Sequence, residues 1–239
     1  MKSSLFLLVP VFMLAACDSK EQYSNSNLLA LSALYDFEAV KGNVRELNQT
    51  LYNVKDEIVH QVVARFEPNG CVSELILDSK MYGKAHLTKQ EQQLTGTEQG
   101  SEVVFALGDK CEILSKRFTR LSDNYTYQYD DRARLQSLFY SVTGLTRHFT
   151  WNEQGLLTRT KSTIGEQVID EVIQQYADPL HKPADYRSET HSLAGNTIID
   201  MRCQYQGVVP HSCEVVKQAT ANEAEEKFHA SIAVAFYPH

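Results

Sequence analysis

The side chains in this sequence that could do chemistry are few: five cysteines, eight scattered histidines and one adjacent pair of aspartates. Cys71, Cys111, Cys203 and Cys213 form an even set, which in an oxidising compartment reads as two disulfides with three pairings open. The preferred pairing joins Cys71 to Cys111 and Cys203 to Cys213. The second pair flanks "QYQGVVPHS", where Gly207 and Pro210 signal a turn that would bring the two cysteines face to face across a hairpin. Zinc is the rival use of four cysteines. The absence of any C-x-x-C pair, with 39, 91 and 9 residues between successive cysteines, argues against it. His60, His86, His148, His181, His191, His211, His229 and His239 show no metal-ligand spacing; His191 and His211 are the pair that folding could bring together. Asp130-Asp131 beside Arg132 could be half of an acid–base or calcium site, but turn carboxylates explain them more simply, and no EF-hand spacing surrounds them. G-x-S-x-G, H-E-x-x-H, the P-loop and G-x-G-x-x-G are absent. The expectation is a protein with no catalytic, cofactor-binding or metal-binding residue, and not an enzyme.

The fifth cysteine stands apart. In "FMLAACDSKE" an apolar run breaks at Cys17 and turns polar at once. The run "LFLLVPVFMLAA" after Lys2 has the length of a signal-peptide core and is too short to span a bilayer as a helix. Leu14-Ala15-Ala16-Cys17 resembles the bacterial lipoprotein cleavage box, which implies cutting after Ala16, a diacylglycerol on the Cys17 sulfur and acylation of its new amino group. Two or three acyl chains, at about 0.8 kcal/mol per buried methylene, hold a protein on a membrane where one chain barely does. Asp18, followed by Ser19, resembles the signal that retains a lipoprotein in the inner membrane, facing the periplasm; the outer membrane is the alternative.

These residues need a body to carry them. Without Lys2 the processed chain keeps 22 basic against 30 acidic residues, scattered without a basic run, so nucleic acid is not an expected partner. With 43% hydrophobic and 22% charged residues the chain is an ordinary globular composition. The expected division is a signal peptide at 1–16, a lipidated N-terminus and flexible polar tether at 17–27, and one domain at 28–239.

Within that domain "LLALSALYDF" suits a short helix packed on the domain edge. From Val44 onward polar residues alternate with β-branched and aromatic ones. Three turns share a pattern in which an aromatic closes one strand and an aliphatic opens the next: Phe66 to Val72, Tyr129 to Leu135 and Trp151 to Leu157, with looser copies at Tyr176 and Tyr205. They resemble a weak form of the tyrosine-aspartate hairpin repeat of bacterial surface and toxin-shell proteins, in local architecture only. Alternation puts Tyr125, Tyr127 and Tyr129 on one face, Leu145, Phe149 and Trp151 on one face, and Phe228, Ala230, Ile232, Val234 and Phe236 on another. The tyrosine stripe could stack on a sugar, though a core ladder is the plainer use. "LTKQEQQLTGTEQG" reads as an exposed loop, and "TANEAEEK" has helical propensity. The fold class expected is all-β and mainly antiparallel: a hairpin-rich twisted sheet with at most a short N-terminal helix.

Tyr35-Asp36-Phe37-Glu38, Gly42-x-Val44, Gln49-Thr50-Leu51, Gly70-Cys71, Lys110-Cys111, Tyr129-Asp130-Asp131 and the Cys203/Cys213 pair around Tyr205 stand in an order that resembles the YnfC-like lipoproteins of Gram-negative bacteria. That resemblance implies a lipid-anchored protein and no known activity. Ala133 departs from the pattern, where glycine would be the usual turn residue. The functional expectation is a non-enzymatic module that offers a surface or edge strand to an envelope protein or glycan. A cell-wall or glycan hydrolase and a carrier of an apolar ligand are the alternatives.

Overall fold

A computed structural model of the 239-residue chain describes residues 26–120, 124–219 and 224–238. The leader, Cys17, Asp18 and the tether up to residue 25 lie outside the described residues. The chain opens with helix α1 (Ser26–Tyr35), which starts inside the stretch expected to be tether. It continues as β1 (Val44–Asn53), β2 (Ile58–Phe66), β3 (Val72–Ser79), β4 (Gly83–Gln90) and β5 (Gln93–Glu98). Then come β6 (Ser101–Leu107), β7 (Ile113–Phe118), β8 (Asn124–Tyr129), β9 (Leu135–Tyr140), β10 (Leu145–Trp151) and β11 (Leu157–Ile164). The last are β12 (Gln167–Tyr176), β13 (Tyr186–Ser192), β14 (Gly195–Gln206), β15 (Val209–Gln218) and β16 (Glu226–Phe236).

Each strand pairs antiparallel with its neighbours in sequence, and β16 returns to β1, with Leu47 opposite Val234 and Leu51 opposite Ala230. The all-β antiparallel expectation holds, but the sheet is a closed barrel. Closure leaves no edge strand among the described residues to offer a partner, so that part of the interaction expectation falls away.

The outer face is built for water. Arg65 on β2 pairs with Glu46 on β1 and Glu74 on β3. Lys84 lies 2.8 Å from Asp78, Arg159 pairs with Glu171, and Arg187 reaches Glu189 and Asp200 at 3.0 Å each. A barrel that crosses lipid turns an apolar band outward and a polar face inward. Here the continuous apolar face points in, with Leu47, Val62, Leu75, Leu87, Leu94, Phe105, Ile113 and Leu135 essentially sealed from solvent, while outward apolar side chains such as Ile76 and Phe139 stand among polar and charged residues.

The turn pattern has a common geometry. In the hairpins 53–57, 67–71, 108–112, 130–134 and 152–156, the first residue's N–H donates to the fifth's carbonyl and the fourth's N–H to the first's carbonyl. A register shift lies beside each of them. The fourth residue is left-handed in every case: Asp56, Gly70, Cys111, Ala133 and Gly155, with φ between 57° and 85°. This is a turn followed by a bulge residue, which keeps the twist of the flanking strands. Ala133 adopts the same conformation as its glycine counterparts, at about 1 kcal/mol for its Cβ. The looser copies differ: residues 177–185 form a longer loop, and Gly207 (φ 65°) opens a two-residue turn.

Both disulfides of the preferred pairing are present. Cys71–Cys111 joins the β2–β3 turn to the β6–β7 turn. Cys203 and Cys213 sit directly opposite on β14 and β15, with Cα atoms 4.0 Å apart.

Three local expectations need correction. Helix α1 is inside the barrel, not on its edge. "LTKQEQQLTGTEQG" is mostly the β4–β5 hairpin: Leu87, Leu94 and Glu98 point inward and are buried, Lys89 opposite Leu94 pairs with Glu67, and most of the other polar residues face water. Gly96 sits where the strands crowd, since a Cβ there would come within 1.9 Å of the His86 carbonyl oxygen. For "TANEAEEK", residues 224–225 are not helical and β16 begins at Glu226; residues 220–223 lie outside the described residues.

Candidate functional site: the lumen

Helix α1 carries Leu28, Leu29, Ala30, Leu31, Ala33 and Leu34 around its whole circumference, and such a helix is stable only when enclosed. Asn27 fixes its first turn: the side-chain carbonyl accepts from Val72 N at 2.9 Å, and the side-chain amide donates to the Cys111 carbonyl. The helix therefore enters beside the Cys71–Cys111 disulfide. It ends at Asp36, whose left-handed backbone (φ 56°) caps the last turn through Asp36 N to Ser32 O, 2.9 Å. Residues 37–43 then run back through the lumen to β1. Glu38 N donates to Gln49 Oε1 on β1 at 2.9 Å, and the Tyr186 hydroxyl on β13 donates to Glu38 Oε1 at 2.9 Å, so this segment is tied to both walls.

The plug fills the barrel unequally. Against β1 to β9 it closes a continuous apolar core. Toward β10 to β14 it leaves a cavity of about 410 Å³. Its acidic and basic lining groups are Asp36, Glu38, Arg147 and Asp170, and its large rings are Phe37, Tyr82, Trp151, Tyr176 and Tyr186. Leu29 and Leu156, packed with Ala39, Trp151 and Tyr176, close the end where the helix enters. Met81, 69% exposed at the tip of the β3–β4 turn, borders the cavity at the other end.

Arg147 is already matched. Its Nε donates to Ser162 Oγ at 2.9 Å, that hydroxyl donates to Asp170 Oδ1 at 2.9 Å, and the guanidinium lies 3.8 Å from Asp170. Asp36 is different: its carboxylate faces the open lumen and forms no hydrogen bond or ion pair with another described residue. Enclosure in protein raises its pKa, with His60 opposing. His60, 7% exposed, has no partner on Nε2; its ring centre is 6.2 Å from that of Tyr82, and burial lowers its pKa so that it stays neutral.

Burial raises the Glu38 carboxyl from 4.5 to about 7, against the hydrogen bond from Tyr186 and with help from Asp36. The folded protein then holds this proton more tightly than the unfolded chain. The stabilisation is complete below about pH 4.5 and is lost as pH rises through about 7. Asp36 acts in the same sense and His60 in the opposite one, so the variant must be compared with the parent at each pH. Glu38→Gln keeps an acceptor for Tyr186 and removes the charge. Between pH 5 and pH 8 its stability relative to the parent should improve by about 1–2 kcal/mol, below the ceiling of roughly 3 because water reaches the lumen. A difference in urea unfolding that is the same at both pH values would contradict this.

The sequence candidates are placed as follows. Asp130 is consumed in its hairpin, accepting from Arg132 N and Arg134 N and pairing with the Arg134 guanidinium. His191 and His211 lie on β13 and β15 with β14 between them. Tyr125, Tyr127 and Tyr129 face inward as a core ladder. Tyr125 stacks on Tyr140 at 4.3 Å, Tyr127 is buried, and the Tyr129 oxygen accepts from Ile113 N. Among the described residues no three His, Cys, Asp or Glu side chains converge as a metal would require. Sequence reading singled out none of the lumen charges as a site. The available signal was His60, a polar residue on the inward face of β2 in register with Val62, Ala64 and Phe66.

A family description, "Uncharacterised protein family (UPF0257)", matches residues 1–237. The chain belongs to this family. It is 24% identical over 238 residues, 90% of each chain, to the UPF0257 lipoprotein YnfC of Salmonella paratyphi C, and equally to that of Salmonella typhimurium. The YnfC-like resemblance read from the ordered motifs is thus to relatives within this family, whose names as lipoproteins imply membrane anchoring. Among solved structures, a porin-like protein from Bacteroides uniformis superposes with a TM-score of 0.56 at 11% identity, covering 80% of this chain and 98% of that one. That likeness is one of fold.

Proposed function

We propose that this protein is a non-enzymatic binding module of the bacterial envelope, lipid-anchored through Cys17 and holding a small ligand in the barrel lumen. The observation that carries the binding half is the cavity itself: about 410 Å³ with mixed polar and aromatic walls, inside a barrel whose outer face is charged. Lumens of this size that are neither filled nor lipid-exposed are suited to one small molecule. The charged exterior argues that the barrel stands in water and relies on an anchor to stay near a membrane. Support for the anchor comes from the lipoprotein relatives and from Leu14-Ala15-Ala16-Cys17. Asp18 favours the inner membrane, facing the periplasm. The polar share of the lining favours an amphipathic or polar ligand over the wholly apolar one of the carrier alternative.

The hydrolase alternative draws on Asp36 and Glu38, two carboxylates near each other in a deep site. Two features weigh against it. Glu38 is engaged by Tyr186, and a lumen inside a closed barrel admits small molecules or chain ends more readily than the middle of a polymer. Hydrolysis of aryl glycosides that vanishes in both Asp36→Asn and Glu38→Gln would favour the enzyme.

The binding reading is tested by native mass spectrometry of the mature lipoprotein released from its own envelope. A small molecule at one per chain is expected in the parent and absent in Thr190→Trp, whose new side chain would occupy the cavity. No bound molecule in either protein would count against the reading. For the anchor, Cys17→Ser should abolish fatty-acid labelling; unchanged labelling would reject lipidation at that sulfur.

A further inference from the structure

The lumen has a sign. Its four charged groups are three carboxyls and one guanidinium; the guanidinium is hydrogen-bonded through Nε to Ser162 and countered by Asp170 across 3.8 Å. What remains is Asp36, open and unmatched, with Glu38 two residues along the same extended segment. Behind Asp36 lies His60, more than nine-tenths buried and neutral, with an unfilled ring nitrogen. Tyr82 and Tyr186 flank these groups; Trp151 and Tyr176 continue the aromatic wall toward the closed end. Carboxylates beside ring faces in a partly desolvated pocket attract a cation twice over, by charge and by the negative faces of the rings. An anion entering the same space would meet Asp36 and Glu38 against a single guanidinium that Asp170 already counters.

We propose that the lumen takes a small organic cation, an amine carrying an apolar or aromatic body, with its ammonium against Asp36 and its body along Tyr82, Trp151, Tyr176 and Tyr186. This rests on the lumen being a ligand site and adds the class of ligand. Glu38 supplies a second acceptor.

Three probes with one ring and different charge separate the possibilities: benzylamine, benzyl alcohol and benzoate. Trp151 is the only tryptophan in the chain and lines the cavity, so its emission reports occupancy directly. With the mature lipoprotein in phosphatidylcholine vesicles, benzylamine should titrate the Trp151 emission at least about tenfold more tightly than benzyl alcohol or benzoate. Asp36→Asn should weaken benzylamine about tenfold and leave benzyl alcohol unchanged. Asparagine tolerates the left-handed backbone at this position, and a wild-type unfolding midpoint for the variant shows that the plug is intact. Equal responses to the three probes, a preference for benzoate, or benzylamine binding unaffected by Asp36→Asn would overturn the cation assignment. None of these outcomes touches the co-purification test with Thr190→Trp, which decides separately whether the lumen holds a ligand at all.

Discussion

Replacing Lys116 by methionine is expected to lower stability by about 3–5 kcal/mol, because it breaks a buried ion pair and leaves one partner behind. Lys116 points inward from β7 and its Nζ lies 2.7 Å from Glu98 Oε1 on β5, both side chains nearly sealed. The Tyr35 hydroxyl, at the last turn of the plug helix, donates to the other Glu98 oxygen at 3.2 Å. The ammonium also sits 4.9–5.4 Å from the ring centres of Phe105, Phe118 and Tyr125. Removing the lysine leaves a carboxylate among hydrocarbon and aromatic faces with one hydroxyl for company. Its choices are to stay charged without a counter-ion or to take up a proton, and both are costly. The double variant Glu98→Leu/Lys116→Met removes both charges and should recover most of the loss. Recovery will be incomplete, because Tyr35 is then a buried hydroxyl without its acceptor. Guanidinium unfolding of the single and double variants measures both effects. A single variant within about 1 kcal/mol of the parent would mean that the pair is solvated in a way its burial does not suggest.

Alternation was the legible part of this fold. It grouped Tyr125, Tyr127 and Tyr129 on one face and Leu145, Phe149 and Trp151 on another, and both faces turn inward, because a strand has only two faces and one of them here is a core. Turn chemistry was legible in outline: the aromatic-to-aliphatic pattern marked the hairpins at Phe66, Tyr129 and Trp151, and the structure adds that their fourth residue is left-handed even where it is Ala133. Closure was not, since the contacts that close the barrel join Leu47 to Val234 across nearly the whole chain, and nothing in either strand names its partner. The helix was recognised but placed wrongly. Apolar residues around its full circumference were the available signal that it must be enclosed. "LTKQEQQLTGTEQG" was misjudged by its composition: every second residue decides burial in a strand, and Leu87, Leu94 and Glu98 occupy those positions. The lumen was hidden for the same reason as closure. Asp36 and Glu38 belong to a motif that carries the family resemblance, but the residues that give them chemical meaning, Arg147, Asp170 and Tyr186, arrive from strands more than a hundred residues later.

The two disulfides should differ in what they hold. Replacing Cys71 and Cys111 with serine opens a link of 40 residues, which on the chain-entropy account is worth about 4 kcal/mol. Cys203–Cys213 spans 10 residues between strands that already pair on both sides of it, and the same account gives it about 3 kcal/mol at most. The more informative contrast is where the loss appears. Cys111 offers its carbonyl to the Asn27 side chain, and Asn27 also binds Val72 N immediately after Cys71, so one residue of the plug grips both turns that the disulfide ties together. Without the cross-link those turns can separate, and the helix loses the fixed pair of partners that orients its entry. Hydrogen exchange should therefore accelerate through α1 and at the Val72 amide in the Cys71→Ser/Cys111→Ser protein, while Cys203→Ser/Cys213→Ser leaves α1 near its parental protection. Equal acceleration of α1 in both variants would show that the plug is held by burial of its apolar circumference alone and that the grip of Asn27 contributes nothing measurable.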